Sequence, residues 1–390
     1  MKKIGLFLEA TPHSGGTFQY NQAILEAVSA LPPDKFSVVI AYTSDLWLKY
    51  FVSSHRKTIF VHRDFWGRAF GFVWRLFNLP MVLWRETCPH FHPVAKTLIS
   101  EQCDLWIFPS QDGWSYQIPV PALVSILDLM HRYERQFPEV STRGEYFSRE
   151  RHYRNICRWA KGILVDSEVG KQQVVESYGA APERIYVLPY VAPKYIYYCK
   201  APEHFDNRYN LPEKFIFYPA QFWEHKNHKR LILAVGLLKE HIPDIKLVLV
   251  GSKKNAYRST IKLVADLNVS KNVIFLGYVP DEDLPEIYLR ARAFIMPTFF
   301  GPTNIPPLEA FVTGCPIAIS GIYGIPEQVG DAAILFNPES VEEIAECIKR
   351  LWFDDILCAT LAKKGKEKSA KWGQQQFNDR LREIIEQIVG

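Results

Sequence analysis

Residues 297–316 read PTFFGPTNIPPLEAFVTGCP. The run follows AFIM (293–296), an apolar stretch of the length and composition of a buried strand. It passes through Gly301 and Pro302, and the pattern then predicts a helix over 306–313. Pro306 and Pro307 suit the first helical positions, where a proline loses no hydrogen bond. The amides of Thr303, Asn304 and Ile305 then fall just before a helix N-terminus, which carries about half a positive charge and attracts anions or hydroxyl groups. Glu309, in the first turn, complements the helix dipole and can also accept from ligand hydroxyls. The same residues also read as an ordinary loop-to-helix connection with a helix-favouring glutamate.

The pattern around this segment decides the fold class. Strands are predicted at 214–219, 246–250, 273–276, 293–296, 316–319 and 332–335. Helices are predicted at 227–240, 256–268, 282–291, 306–313 and 340–352, with two more between about 355 and 388. The first half alternates less cleanly. KKIGLFLEA opens it as a strand, Gly15 and Gly16 turn the chain, and a helix follows with Thr17 as its expected cap. Strands follow at 36–42, 104–108, 122–127, 162–165 and 185–188. Strand–helix alternation implies parallel, doubly wound sheets, and 390 residues exceed what one core usually holds. The expected architecture is α/β. It has a Rossmann-like domain over 1–195, a linker over 196–213 and a second Rossmann-like domain over 214–370. A C-terminal helix over 371–390 is expected to pack back on the first domain. Ligands of such sheets bind at the carboxyl ends of the strands, here in a cleft between facing domains.

Three further strand ends carry candidate residues. In YPAQFWEHKNHKR (218–230), Gln221, Phe222 and Trp223 form the loop and Lys226 opens the next helix, a placement suited to a diphosphate. A solvated lysine at a helix start is the plain alternative. In VGSKKNAYR (250–258), Gly251 ends a strand. In LGYV (276–279), Gly277, Tyr278 and Val279 could bring backbone close to a flat base.

Composition narrows the classes. The chain is 48% apolar and 23% charged, which excludes disorder as its main state. The net charge of +4 is too small for nucleic acid to be the main partner. No apolar window is long enough to span a membrane, and MKKIGLFLEA reads as a strand rather than a leader. The seven cysteines are scattered without a CxxC, so neither a disulfide framework nor a zinc site is expected. Cys88, His90 and His92 are a weak metal candidate. A reducing, cytoplasmic setting is expected.

The motifs together resemble retaining GT-B glycosyltransferases, similar to glycosyltransferase family 4 (the group 1 family), specifically over about 214–337 and more loosely over 1–190. In that resemblance Lys226 matches the phosphate lysine. Gly277, Tyr278 and Val279 match the base-contacting stretch. Glu309 matches the second glutamate of an E-x7-E segment, which holds the ribose hydroxyls. TGCPIAISGIYGIPE (313–327) and VGDAAILFN (329–337) continue the match, and Gly15 and Gly16 match a glycine turn that admits the donor phosphate. Three positions depart from the family: Gly301 replaces the first glutamate, Gln221 the arginine, and Leu127 the histidine before Asp128. Asp128 and His131 are candidates for polar work near the transferred sugar. RYERQFPE (132–139) resembles an acceptor-side loop and otherwise reads as a charged surface turn.

The resemblance implies a metal-independent enzyme without a cofactor. It would move a hexose or deoxyhexose from a nucleotide-sugar to a glycan or lipid-linked acceptor with retention of configuration, in surface polysaccharide synthesis. The FPE loop favours a deoxysugar or mannose. The alternatives are a GT-B nucleotide-sugar epimerase and a non-catalytic binding protein. Residues 56–85 hold six basic residues, one acid and interleaved aromatics. They are expected either to touch an anionic membrane surface or to form a helix with its aromatics packed inward.

Overall fold

The structure, a computed structural model, describes residues 1–11, 15–51, 56–62, 80–198, 203 and 205–390. The chain folds as two units. One comprises Met1–Leu129, Phe147–Pro189 and Gln374–Gly390; the other comprises Met130–Tyr146 and Tyr190–Gly373.

The first unit is built on a parallel sheet. In chain order its strands are β1 (Lys2–Leu8), β2 (Phe36–Tyr42), β3 (Lys57–Phe60), β4 (Leu105–Phe108), β5 (Ala122–Ser125), β6 (Gly162–Val165) and β7 (Ile185–Val187). They lie in the order β3-β2-β1-β4-β5-β6-β7. β4, β5 and β6 are buried at every residue, as expected of strands covered on both faces. The short β3 escaped prediction because KTIF is amphipathic and only half-buried.

Helix α1 (Gly16–Ser29) follows β1. Its cap is Gly15, with no side-chain hydrogen bond, so Thr17 does not cap it. The Thr17 carbonyl instead accepts from Asn21 Nδ2 at 2.7 Å. The final helix, Gln374–Val389, belongs to this unit and packs along α1. Gln374 donates to the Ala23 carbonyl at 3.1 Å, and Lys2 Nζ donates to the Val389 carbonyl at 2.7 Å.

The second unit holds β8 (Ile216–Pro219), β9 (Leu247–Val250), β10 (Val273–Gly277), β11 (Ala293–Met296), β12 (Ile317–Ser320) and β13 (Ala333–Phe336), in the order β10-β9-β8-β11-β12-β13, all parallel. Among the helices that flank the sheet are α2 (His228–Lys239), α3 (Tyr257–Asp266), α4 (Leu284–Arg290), α5 (Pro306–Thr313), α6 (Val341–Phe353) and α7 (Asp355–Lys371). α2 shows why the sequence folds this way. Leu231, Ile232, Ala234, Val235 and Leu238 form one buried stripe at helical spacing.

Two stretches sit elsewhere than expected. The described residues of 196–213 form no separate linker: Ile196 and Phe205 are buried in the second unit's core, and Arg208 pairs with the buried Asp283 at 2.6 Å. Residues 130–146 also fold with the second unit. Met130 and Val140 are buried in a cluster with Phe299 and Phe300, against which Phe137 packs. The apolar members of this stretch were masked in the sequence by the charges between them.

Candidate functional site

The carboxyl ends of β8 to β11 gather the predicted residues of the second unit. After β8 the loop turns tightly. The Lys226 amide bonds to the Trp223 carbonyl at 3.1 Å, and the buried Tyr218 hydroxyl donates to the Lys226 carbonyl at 3.0 Å. Asn227, left-handed at φ 59°, is anchored through Nδ2 to the carbonyls of Pro297 and Pro338 at 2.9 and 2.8 Å. The next loop is tied on by Phe299 N–H to the His225 carbonyl at 2.9 Å, and the His225 ring stacks on Phe300 at 3.8 Å. Lys226 is thus half-buried on a braced turn.

Its neighbours divide. Gln221 Oε1 accepts from the Trp223 indole at 2.9 Å. Phe222 is 1% exposed and its ring stacks on the buried His228 at 4.4 Å. Its side chain is therefore core, and only its backbone faces the loop. Burial pushes the His228 imidazole down to about 3, so it is neutral.

Gly251 ends β9 at φ 148°, and a Cβ there would meet the Ala220 carbonyl oxygen at 2.2 Å, so only glycine fits. Its amide donates to the Gly277 carbonyl at 2.7 Å. Beyond Gly277, the Tyr278 side chain is exposed, while Val279 is buried in the core. Of these two, only Tyr278 offers its side chain outward.

The loop before α5 corrects one expectation. The Asn304 amide is already spent, donating to Gln328 Oε1 at 3.1 Å, while Gln328 Nε2 donates to the Asn304 carbonyl at 2.6 Å. Gln328 is a second-unit residue that the sequence reading missed, because its partner lies 24 positions away. Thr303 and Ile305 stand at the helix start with buried side chains. Gly301 has φ 97°, and a Cβ there would meet the Thr303 carbonyl oxygen at 2.7 Å. This backbone has no room for an acidic side chain.

Glu309 is buried, and both of its oxygens accept from tyrosines. Tyr288 donates to Oε2 at 2.7 Å, and Tyr195, from the turn Lys194–Tyr197, donates to Oε1. Burial raises the Glu309 pKa, the two hydroxyls pull it part of the way back, and Asp281 pushes it up. The sequence placed this carboxylate among ligand hydroxyls; in the structure protein hydroxyls hold it. Tyr195 and Tyr288 gave no signal, since neither lies near the motif in sequence.

Residues 130–146 reach the same loops. Glu139 Oε1 accepts from the Glu224 amide at 2.7 Å and lies 3.4 Å from His225 Nδ1. Burial would raise the Glu139 pKa, but hydrogen bonds from His225, the backbone and Asn255 outweigh it and hold it at about 2. Phe137 stands 5.2 Å from Phe299 and 5.5 Å from Phe300, and Glu134 accepts from Tyr323. The segment is therefore a packed strap rather than a charged surface turn. His131 is fully buried within it, its ring 5.8 Å from Tyr146.

In the first unit, Gly15 and Gly16 lie at the start of α1. Asp128 is half-buried and pairs with Arg149 at 3.3 Å. The Leu127 amide donates to Gln111 Oε1 at 3.1 Å. Of the basic-aromatic stretch, 63–79 lie outside the described residues. Among its described residues, three basic side chains are bound within the protein. Arg56 donates to the Leu31 carbonyl at 3.2 Å, Lys57 pairs with Glu101 at 2.6 Å, and Arg85 donates to the Ile118 carbonyl at 2.9 Å. Trp84 is buried. Among the described residues, no group of three His, Cys, Asp or Glu side chains is placed to hold a metal ion, Cys88, His90 and His92 included. No helix among them is long and apolar enough to cross a membrane.

Known structures share this arrangement. HepE of Anabaena, solved with UDP-glucose, superposes with a TM-score of 0.74 at 16% identity, covering 99% of this chain and 100% of that one. Sucrose-phosphate synthase from Thermosynechococcus elongatus gives 0.72 at 19%, covering 99% of each. The likeness is one of fold: two parallel-sheet units of the GT-B kind. Residues 200–368 match the model of glycosyl transferases group 1. The O-antigen chain mannosyltransferase B of Escherichia coli is 30% identical over 201 residues, which is 50% of this chain and 52% of that protein. The chain spans about half the length of the curated relatives it matches, or less.

Proposed function

We propose that the protein moves a hexose or deoxyhexose, with mannose favoured, from a nucleotide-sugar to a glycan or lipid-linked acceptor in polysaccharide synthesis. The anomeric configuration would be retained, with no metal or cofactor. The observation that carries this is the braced Lys226 turn, hydrogen-bonded to the loop that leads into α5. The name of the Escherichia coli relative supports mannose.

In this reading the nucleotide lies along the carboxyl ends of β8 to β10, with the base near Gly277 and Tyr278. Lys226 and the start of α5, at Thr303 and Ile305, face the diphosphate. The bond between the anomeric carbon and the phosphate oxygen breaks as the acceptor oxygen bonds that carbon, and the acceptor proton passes to the departing diphosphate. Negative charge grows on the leaving group, so donors already in place act on the transition state rather than the ground state. Glu309, held by its tyrosines, fixes geometry and moves no proton. Asp128 and His131 are proposed at the sugar and acceptor, and residues 56–85 at an anionic lipid surface.

Lys226→Ala should lower turnover of a GDP- or UDP-sugar about a hundredfold or more while the thermal midpoint stays put. Wild-type turnover would sink the phosphate assignment. Product NMR reads retention directly: an inverted anomer would refute it. Arg68→Ser with Arg75→Ser should weaken sedimentation with anionic vesicles, and unchanged sedimentation would end the lipid reading. Gln221, Gly301 and Leu127 keep a second reading, a non-catalytic sugar-nucleotide binder. Donor left intact after long incubation with candidate acceptors, with nucleotide bound, would favour it. Interconversion of the donor sugar without transfer would favour an epimerase.

A further inference from the structure

We propose that Lys254 supplies the second positive charge for the donor's diphosphate, beside an uncharged Gln221. The inference rests on the nucleotide-sugar reading above. A diphosphate leaving group carries more than one negative charge, and a single ammonium leaves it under-neutralised as the bond to the sugar breaks. Gln221 has no charge to add, and its Oε1 is engaged by the Trp223 indole at 2.9 Å.

That same indole connects position 221 to a cation. Lys254 Nζ lies 5.0 Å from the centroid of the Trp223 ring, the placement of a cation–π contact. The Lys254 side chain is half-buried, and among the described residues no carboxylate pairs with it. Its charge is therefore held in place without being neutralised.

The loop that carries Lys254 is bound to the loop that carries Lys226. Phe222 N–H donates to the Ser252 carbonyl at 3.1 Å, Ala256 N–H to the Phe222 carbonyl at 2.9 Å, and Glu224 N–H to Asn255 Oδ1 at 3.1 Å. Two lysines thus ride on one cross-linked pair of loops at the carboxyl ends of neighbouring strands β8 and β9. Lys253 is the built-in contrast: it is exposed, and its ammonium lies over Tyr257, 5.0 Å from the ring.

The test is calorimetric titration of the full chain with UDP, GDP, ADP and dTDP, and with the matching nucleosides. The proteins are wild type, Lys254→Met, Lys253→Met, Lys226→Met, and Lys254→Met combined with Gln221→Arg. Lys254→Met should weaken the bound diphosphate by about ten- to a hundredfold, the worth of one charged hydrogen bond, and leave the nucleoside unchanged. Lys253→Met should do neither. Arginine at 221 should recover affinity in the Lys254→Met background. Undiminished diphosphate binding by Lys254→Met, beside a loss in Lys226→Met, overturns this proposal alone. An equal loss for nucleoside and diphosphate, or no recovery by Gln221→Arg, overturns it too. A wild-type chain that binds none of the four diphosphates overturns the nucleotide-sugar reading and this proposal with it.

Discussion

A carboxylate as buried as Glu309 stays ionised only if hydrogen bonds replace the water it has lost. Tyr195 and Tyr288 provide them, and the opposing effect of burial still wins, leaving the pKa raised. The bond from Tyr195 therefore stabilises the charged form and matters less once Glu309 is protonated. Tyr195→Phe should cost about 1–3 kcal/mol at pH 7 and distinctly less near pH 4. Urea unfolding at the two pH values measures this, and an equal loss at both would refute it. Gly301 makes a second residue-scale case. Restoring the family glutamate looks like a repair in sequence, but the backbone is positive in φ and a Cβ would press on the Thr303 carbonyl. Gly301→Glu should lower the thermal midpoint and raise no activity. A variant that is both stable and faster would show that the loop can open to receive the side chain.

At the scale of elements, the strap 130–146 decides how the β8 and β11 loops are held. Phe137 packs on Phe299 and Phe300, and Glu139 takes the Glu224 amide. Phe137→Ala should cost about 2 kcal/mol, below the range for a fully buried phenylalanine because this ring is only partly covered. It should also speed tryptic cleavage after Arg135, and an unchanged cleavage rate would show that the strap holds without it. The strap also marks the limit of what the sequence disclosed. Strands such as FSVVIAY and LVLV were legible because burial on both faces leaves uninterrupted apolar runs, and α5 was legible from Pro306 and Pro307. RYERQFPE was not, since its buried groups alternate with charges and their partners lie more than 80 positions away. The site divides in the same way. Lys226 and Glu309 were visible in local motifs, whereas Tyr195, Tyr288 and Gln328 act through contacts distant in sequence. Phe222 and Val279 lie in the candidate loops, but their side chains are core.

At the scale of the whole molecule, each unit holds a histidine that burial keeps neutral. In the first unit, burial pushes His152 down to about 4, helped by Arg149 and opposed by a hydrogen bond to the Gln111 carbonyl at 2.8 Å. In the second, burial pushes His228 down to about 3. Both folded values lie below the ordinary histidine pKa of about 6.5. The unfolded chain therefore binds protons that the folded chain refuses. The stability is fully present above about pH 6.5 and falls as pH drops toward 4, by about 1.4 kcal/mol per pH unit for each histidine. Glu139 acts in a different window. Its folded pKa of about 2 gives stability that is present above the ordinary glutamate value and lost only as pH falls from there toward 2. Between pH 6.5 and 5 these two histidines thus destabilise the fold as pH falls, while Glu309, whose pKa burial raises, acts in the opposite sense. His228→Gln should lessen the loss of stability in the second unit and His152→Gln in the first, read as separate transitions where calorimetry resolves them. If both variants keep the wild-type slope in that window, these histidines are not held neutral by the fold.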